Sequence, residues 1–225
     1  MNGDIVEPQP EIRITAKDEN QFYLLQDTSH IDIYMKKPGQ SDKQRLSYQS
    51  NGVEFHGAQS KKKNEAYVIY KPQQQLKDGM YELSVQATDE SGNKAGDQLY
   101  KKKFEVINKS SITHFYPYPN PFTSRMRFVF TLTGSEIPDK INIQILTIKG
   151  KVIREITKEE LGPLNIGVNK TDYVWHGKDD YGDPVGNGVY FYRVKSYLNG
   201  ESIEQRETAG DKFFENNIGK IYLMR

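Results

Sequence analysis

The 225-residue chain carries 31 basic and 30 acidic side chains and no cysteine. Balanced charge leaves no bulk field to draw in nucleic acid or an anionic membrane. The absence of cysteine excludes disulfides, thiolate metal sites and a cysteine nucleophile within these residues.

The opening residues have no basic stretch followed by an apolar core, so they are not a signal peptide. Glu7-Pro-Gln-Pro10 reads as interdomain linker. Residues 1–10 are therefore expected to be linker, in a chain cut from a longer protein. From residue 11 the pattern becomes an alternation of apolar and polar residues. Ile12, Ile14 and Ala16 form one set, Ile31, Ile33 and Met35 the next, then Val53 with Phe55, and Ala66, Val68 and Tyr70. Tyr81, Leu83, Val85 and Ala87 form the clearest strand, and Phe104 with Val106 closes the series. Turn clusters lie between them: Lys37–Gln40, Ser50–Gly52, Lys77–Gly79 and Asp89–Asn93. Short strands at this spacing predict an immunoglobulin-like sandwich over residues 11–108.

A second domain is expected over residues 109–225. It opens on Tyr116-Pro-Tyr-Pro-Asn-Pro-Phe122, whose prolines fix φ near −65° and hold their neighbours extended. Alternation would place Tyr116, Tyr118 and Phe122 on one face and the ring nitrogens along one edge, which confines the segment to a sheet edge. Met126 to Leu132, Ile141 to Ile145 and Ile153 to Ile156 follow as strands. Tyr173 to Trp175, Gly188 to Lys195 and Gly219 to Arg225 complete the series. No stretch holds a 3.6-residue period. The fold class is all-β: two tandem immunoglobulin-like (fibronectin III-like) antiparallel β-sandwiches. No apolar run approaches the ~20 residues of a membrane span.

Asp78-Gly-Met-Tyr-Glu-Leu-Ser-Val-Gln-Ala-Thr-Asp-Glu-Ser-Gly-Asn93 resembles the penultimate strand and turn of bacterial Ig-like modules. In the second half, four elements occur in order. They are Tyr118-Pro119-Asn120-Pro121-Phe122, Gly150-Lys151-Val152, Trp175 with Gly177, Asp180 and Gly182, and Gly188-Val189-Tyr190. A closing strand, Lys220 to Arg225, follows them. The set resembles the Ig-like domain family shared by the flagellar hook-cap protein and the C-terminal domains of type IX secretion cargo in Bacteroidetes. The chain departs from that pattern at His176 and carries longer segments at 159–171 and 209–217. The tandem as a whole resembles the C-terminal region of surface proteins with a gingipain-type (C25) cysteine peptidase region, a group that includes the PorU-type sortase of the same system.

The resemblance implies a non-catalytic C-terminal module that acts in secretion recognition or in docking at the outer-membrane surface. Its implied partners are the type IX machinery or an outer-membrane shuttle protein. The expected docking features are the proline-flanked segment and the Lys220–Arg225 strand, with addition of a partner strand as one mode. A hook-cap-type scaffold fits less well, because this chain starts with a different sandwich. A carbohydrate-binding accessory module is the alternative.

No residue set nominates a catalytic, cofactor or metal role. Trp175 and its glycines read as a core plug and turn; the competing reading is a calcium site on Asp179, Asp180 and Asp183. The four histidines, at 30, 56, 114 and 176, are scattered without ligand spacing. Lys61–Lys63 and Lys101–Lys103 read as guards on loops and strand edges. A ligand for them would be an anionic surface polysaccharide rather than nucleic acid. Tyr67, Tyr70, Tyr100, Tyr190, Tyr192 and Tyr197 fall in strand patterns, which favours packing over a sugar-stacking platform.

Overall fold

The computed structural model describes residues 3–19, 22–50, 52–60, 62–89, 91–203, 214–215 and 217–225. Lys61, Asn51 and Glu90 of the sequence readings, and most of the 209–217 insertion, lie outside these. The chain divides into two compact units, Met1–Ile107 and Asn108–Arg225.

Unit 1 contains β1 (Asp4–Val6), β2 (Ile12–Asp18), β3 (Ile31–Lys36), β4 (Lys43–Arg45), β5 (Val53–His56), β6 (Asn64–Tyr70), β7 (Gly79–Ala87) and β8 (Tyr100–Val106). A five-stranded sheet in the order β1-β8-β7-β3-β4 faces a three-stranded sheet in the order β2-β6-β5. Each strand points alternate residues inward, as its apolar period requires. Ile31, Ile33, Met35, Tyr81, Leu83 and Phe104 from one sheet meet Ala16, Ala66 and Val68 from the other. Fully burying a side chain of this size contributes about 1.5–3 kcal/mol.

Residues 4–6 are a strand, which corrects the linker reading of 1–10. Asp4, Ile5 and Val6 pair in parallel with Phe104, Glu105 and Val106. Pro8 and Pro10 are buried, and the Pro8 carbonyl accepts from Leu76 N–H at 2.8 Å. Proline after a short apolar run marks a packed corner here, and composition alone does not separate that corner from a linker.

Unit 2 contains β9 (Ser111–Tyr118), β10 (Arg127–Thr133), β11 (Lys140–Leu146), β12 (Val152–Thr157), β13 (Gly167–Lys170), β14 (Gly188–Leu198), β15 (Glu201–Ser202), β16 (Phe214–Glu215) and β17 (Ile218–Leu223). A one-turn helix, α1 (Lys158–Leu161), follows β12 and starts on a capping box of Thr157 and Glu160. The sheets run β13-β10-β9 and β12-β11-β14-β17-β16, with β15 alongside β14. Between them lies an aromatic core: Phe115 stacks on Phe130 at 5.1 Å, and Tyr192 meets Phe128 edge-on at 5.3 Å. The Tyr192 hydroxyl donates to the Phe115 carbonyl across the sandwich at 2.9 Å, which satisfies its polar end. Tyr192 is accommodated by Gly219, where an added Cβ would lie 2.2 Å from the ring.

The proline segment does not present one aromatic face. Tyr116 and Tyr118 are exposed on β9, whereas Phe122 is 2% exposed in the core. The chain leaves the small sheet after Tyr118 and crosses to the edge of the large one, with cis peptide bonds before Pro119 and Pro121. The edge assignment is met at Pro117. Phe128, its partner on β10, directs its N–H and C=O to Thr171 on the opposite side. The Pro117 nitrogen therefore faces away from β10, on the outer edge of β9.

Candidate functional site

The motif residues are scattered over a hundred positions, and three of their four groups assemble around the C-terminal strand. β17 pairs with β14 along one side, from Gly188↔Leu223 to Arg193↔Ile218. Its other side is shared by two segments. β16 pairs with Ile218 and Gly219. Further along, the Asn120 side chain donates to the Lys220 carbonyl at 3.0 Å and accepts from the Tyr222 N–H at 2.8 Å. One carboxamide thus does what the backbone of a strand residue does. Phe122 continues the contact with its own backbone, donating to the Tyr222 carbonyl and accepting from Met224 N–H, both at 2.9 Å.

Phe122 projects inward onto Trp175, with ring centroids 5.4 Å apart, and Tyr190 meets the indole edge-on at 5.8 Å. Trp175 is 1% exposed, and its Nε1–H donates to the Lys178 carbonyl at 2.7 Å. The indole nitrogen therefore closes the turn that follows it. Gly177 sits in that turn at φ 65°, and a Cβ there would lie 2.6 Å from the Arg225 guanidinium. Only glycine meets both demands. The guanidinium donates to the carbonyls of His176, Gly177 and Val185 at 2.9, 3.0 and 3.2 Å. Asn187 holds the Arg225 backbone by two further bonds, donating to its carbonyl and accepting from its N–H. Burial raises the Tyr190 hydroxyl above its usual range, with Arg225 pulling the other way. Gly188 and Val189 start β14 at the exposed end of this assembly, and Val189 pairs with Tyr222.

This arrangement corrects strand addition at Lys220–Arg225 as a docking mode. The strand has neighbours on both sides, and its terminal arginine is committed to three carbonyls. Among the described residues, no free edge remains there for a partner strand. The β12 and β13 edges of unit 2 are also engaged. On β12, the Ile153 carbonyl accepts from Asp180 N–H at 2.9 Å, and Thr157 N–H is taken by Glu160. β13 spans four residues, and its Asn169 side chain folds onto the Asn165 and Gly167 carbonyls.

Gly150 and Lys151 stand apart from the assembly. They form the β11–β12 hairpin turn, in which Gly150 takes φ 81° and donates to the Thr147 carbonyl. The three aspartates of the calcium reading do not converge. Asp179 Oδ1 accepts from the N–H groups of Tyr181 and Asp183, at 3.0 and 2.9 Å. Asp180 Oδ1 accepts from Arg154 Nη1 at 2.9 Å. Among the described residues, no three His, Cys, Asp or Glu side chains group to hold a metal ion. Arg154 also donates to the Tyr173 hydroxyl and to Glu160. Neither Arg154 nor Asn187 was singled out in the sequence, because their partners lie across turns that no local pattern links.

Of the tyrosine series, Tyr190 and Tyr192 are core and Tyr100 is exposed. Tyr67 lies under Arg13 and stacks on His56 at 4.5 Å. Lys101 and Lys103 sit on the outer face of β8, opposite Ser84 and Glu82. Both are exposed, on a strand whose other side takes the Gly3 N–H at the Lys103 carbonyl and pairs with β1 from Phe104 to Val106.

No family model matches the chain, and no curated protein matches it. Among solved structures, dimeric latent PorU from Porphyromonas gingivalis is similar at 16% identity, with a TM-score of 0.38, over 100% of this chain and 19% of its own. The chain thus spans about a fifth of that protein. The fibronectin(III)-like modules of Clostridium thermocellum CbhA match at 12% identity and a TM-score of 0.28, over 99% of this chain and 90% of theirs. The BSP domain of a biofilm-associated protein matches at 9% identity and a TM-score of 0.30, over 99% of this chain and 28% of that one. The class of the molecule, a tandem of immunoglobulin-like sandwiches, rests on its own strand order and its two separate cores.

Proposed function

We propose that this chain is a non-catalytic C-terminal module of a type IX secretion component or cargo, acting in recognition or docking at the outer-membrane surface after export. The observation that supports the reading is the assembly of the Tyr118–Phe122, Trp175–Gly182 and Gly188–Tyr190 motifs around the Lys220–Arg225 strand. A motif set that builds one folded feature is read by a partner as a surface, not as a linear peptide. Recognition then involves the exposed rim of the feature: Tyr118, Val189, Tyr222 and Met224. The partner is the secretion machinery or an outer-membrane shuttle protein, and the longer protein is one with a C25-type peptidase or sortase region.

The test is deletion of residues 109–225 from the longer protein, followed by export and surface-retention assays. Loss of either supports the reading; unchanged export and retention overturn it. A carbohydrate-binding appendage is the second reading. It is favoured by Tyr116 and Tyr118, which are 47% and 59% exposed two positions apart on one strand face. Glycan-array binding that disappears in the Tyr116→Ala, Tyr118→Ala double variant would move the assignment to that class.

A further inference from the structure

An open strand edge lies in unit 1 at β2, and we infer that it is an acceptor for an extended partner segment that alternates apolar and acidic residues. β2 ends the three-stranded sheet, with β6 on one side and no strand among the described residues on the other. At seven residues it is a long edge, and it contains no proline or glycine.

The ladder phase says which backbone groups are on offer. Lys71 N–H donates to the Gly52 carbonyl at 2.8 Å, so odd-numbered residues along β6 bond toward β5. Its even-numbered residues then bond toward β2, where they face Ile12, Ile14, Ala16 and Asp18. The N–H and C=O groups of Arg13, Thr15 and Lys17 are therefore directed outward. An edge of this kind is a template for strand addition unless something blunts it. The two cations at this edge do not blunt it. Arg13 is laid back over the Tyr67 ring at 3.7 Å, and Lys17 reaches across its own sheet to Glu65 at 3.2 Å.

The side chains specify the occupant. Ile12 and Ile14 point toward the core yet are only half-buried, with no strand among the described residues beside them at the rim. A strand added there would cover them with apolar residues at every second position. Its intervening residues would lie beside Arg13 and Lys17 on the outer face, where acidic side chains are favoured and basic ones are not. A second copy fits poorly: antiparallel self-pairing centred on Thr15 sets Arg13 directly against Lys17 of the other copy. The inference concerns unit 1 and stands apart from what unit 2 does.

The test uses the full 225-residue chain and short peptides of alternating valine with glutamate or with lysine. Calorimetry measures affinity, and amide NMR locates the site. The glutamate peptide is expected to bind with shifts at the Arg13, Thr15 and Lys17 amides, at least about tenfold tighter than the lysine peptide. Thr15→Pro removes one outward N–H and no inner bond, so it should abolish binding while the circular dichroism stays unchanged. If that variant does not fold, the Arg13→Glu, Lys17→Glu pair should reverse the peptide preference. Equal affinity for both peptides, binding that survives Thr15→Pro, shifts elsewhere, or a preference unmoved by the charge reversal would overturn the inference. So would a dimer of the free chain that Thr15→Pro dissolves.

Discussion

The two units solve the same packing problem and treat their sheet edges in opposite ways. Unit 2 engages its edges locally: the Asn120 side chain and the Phe122 backbone cover β17, the Asp180 backbone bonds β12, and Pro117 strips a donor from the edge of β9. Unit 1 closes β8 with a three-residue strand and, among the described residues, sets no strand outside β2. A sandwich core therefore does not determine how a domain meets its neighbours. Edge chemistry governs strand addition, and here it disfavours that mode at β17 of one unit and leaves it open at β2 of the other.

The largest test of that contrast is Trp175→Ala. It removes the plug shared by Phe122, Tyr190 and the closing turn, and should cost unit 2 about 3–5 kcal/mol. Chemical denaturation followed by NMR should show unit 2 signals lost first, with those of unit 1 retained. In the wild type, Trp175 is the single tryptophan, so its fluorescence reports unit 2 alone. Next is Gly219→Ala, whose methyl meets the Tyr192 ring; overpacking should destabilise unit 2 by about 1–3 kcal/mol in the same denaturation assay.

Asn120→Asp is smaller and more pointed. It keeps an acceptor for Tyr222 N–H but removes the donor to the Lys220 carbonyl, at about 0.5–1.5 kcal/mol. Amide exchange should quicken along the outer side of β17. Unchanged exchange there would show that Asn120 does not hold the edge closed.

Alkaline titration probes unit 1. The Tyr48 hydroxyl, which donates to the Ile31 carbonyl, is pushed from 10.0 up to about 12 by burial and by the Asp32 charge, with Arg45 opposing. The folded state thus favours the neutral phenol. Its contribution is complete below pH 10, where the unfolded chain also keeps the proton, and it is lost as pH rises from 10 to about 12. Denaturation midpoints followed by circular dichroism should fall across that window, and Tyr48→Phe should flatten the decline. Least of all, Thr15→Pro should change unit 1 stability by under about 1 kcal/mol, because its outward N–H serves no native bond. A larger loss in denaturant titration would mean that β2 is bonded on both sides.

Much of the framework was legible because strand periodicity is local. Tyr81, Leu83 and Val85 alternate in the chain and all point into the core. Trp175 read as a plug for the same reason: a lone large aromatic beside glycines has few other places to go. Edge coverage was not legible. The Asn120 amide meets Lys220 and Tyr222 a hundred residues away, and no window of sequence contains both partners. Asp180 could enter a competing metal-ligand reading because its partner, Arg154, sits on another strand. The face of Phe122 was misjudged for a related reason, since a proline run says where a strand stops but not where the chain goes next.

The placement of Asn120 between two prolines also bears on chemical ageing. Asparagine deamidates when the nitrogen of the following residue attacks its side-chain amide and closes a ring. Pro121 supplies a nitrogen with no hydrogen to lose, so that route is shut at Asn120. Asn199 precedes Gly200 in an exposed turn and has no such protection. As the protein ages, charge should accumulate at loop positions such as Asn199, while the carboxamide that clasps the last strand keeps its donor.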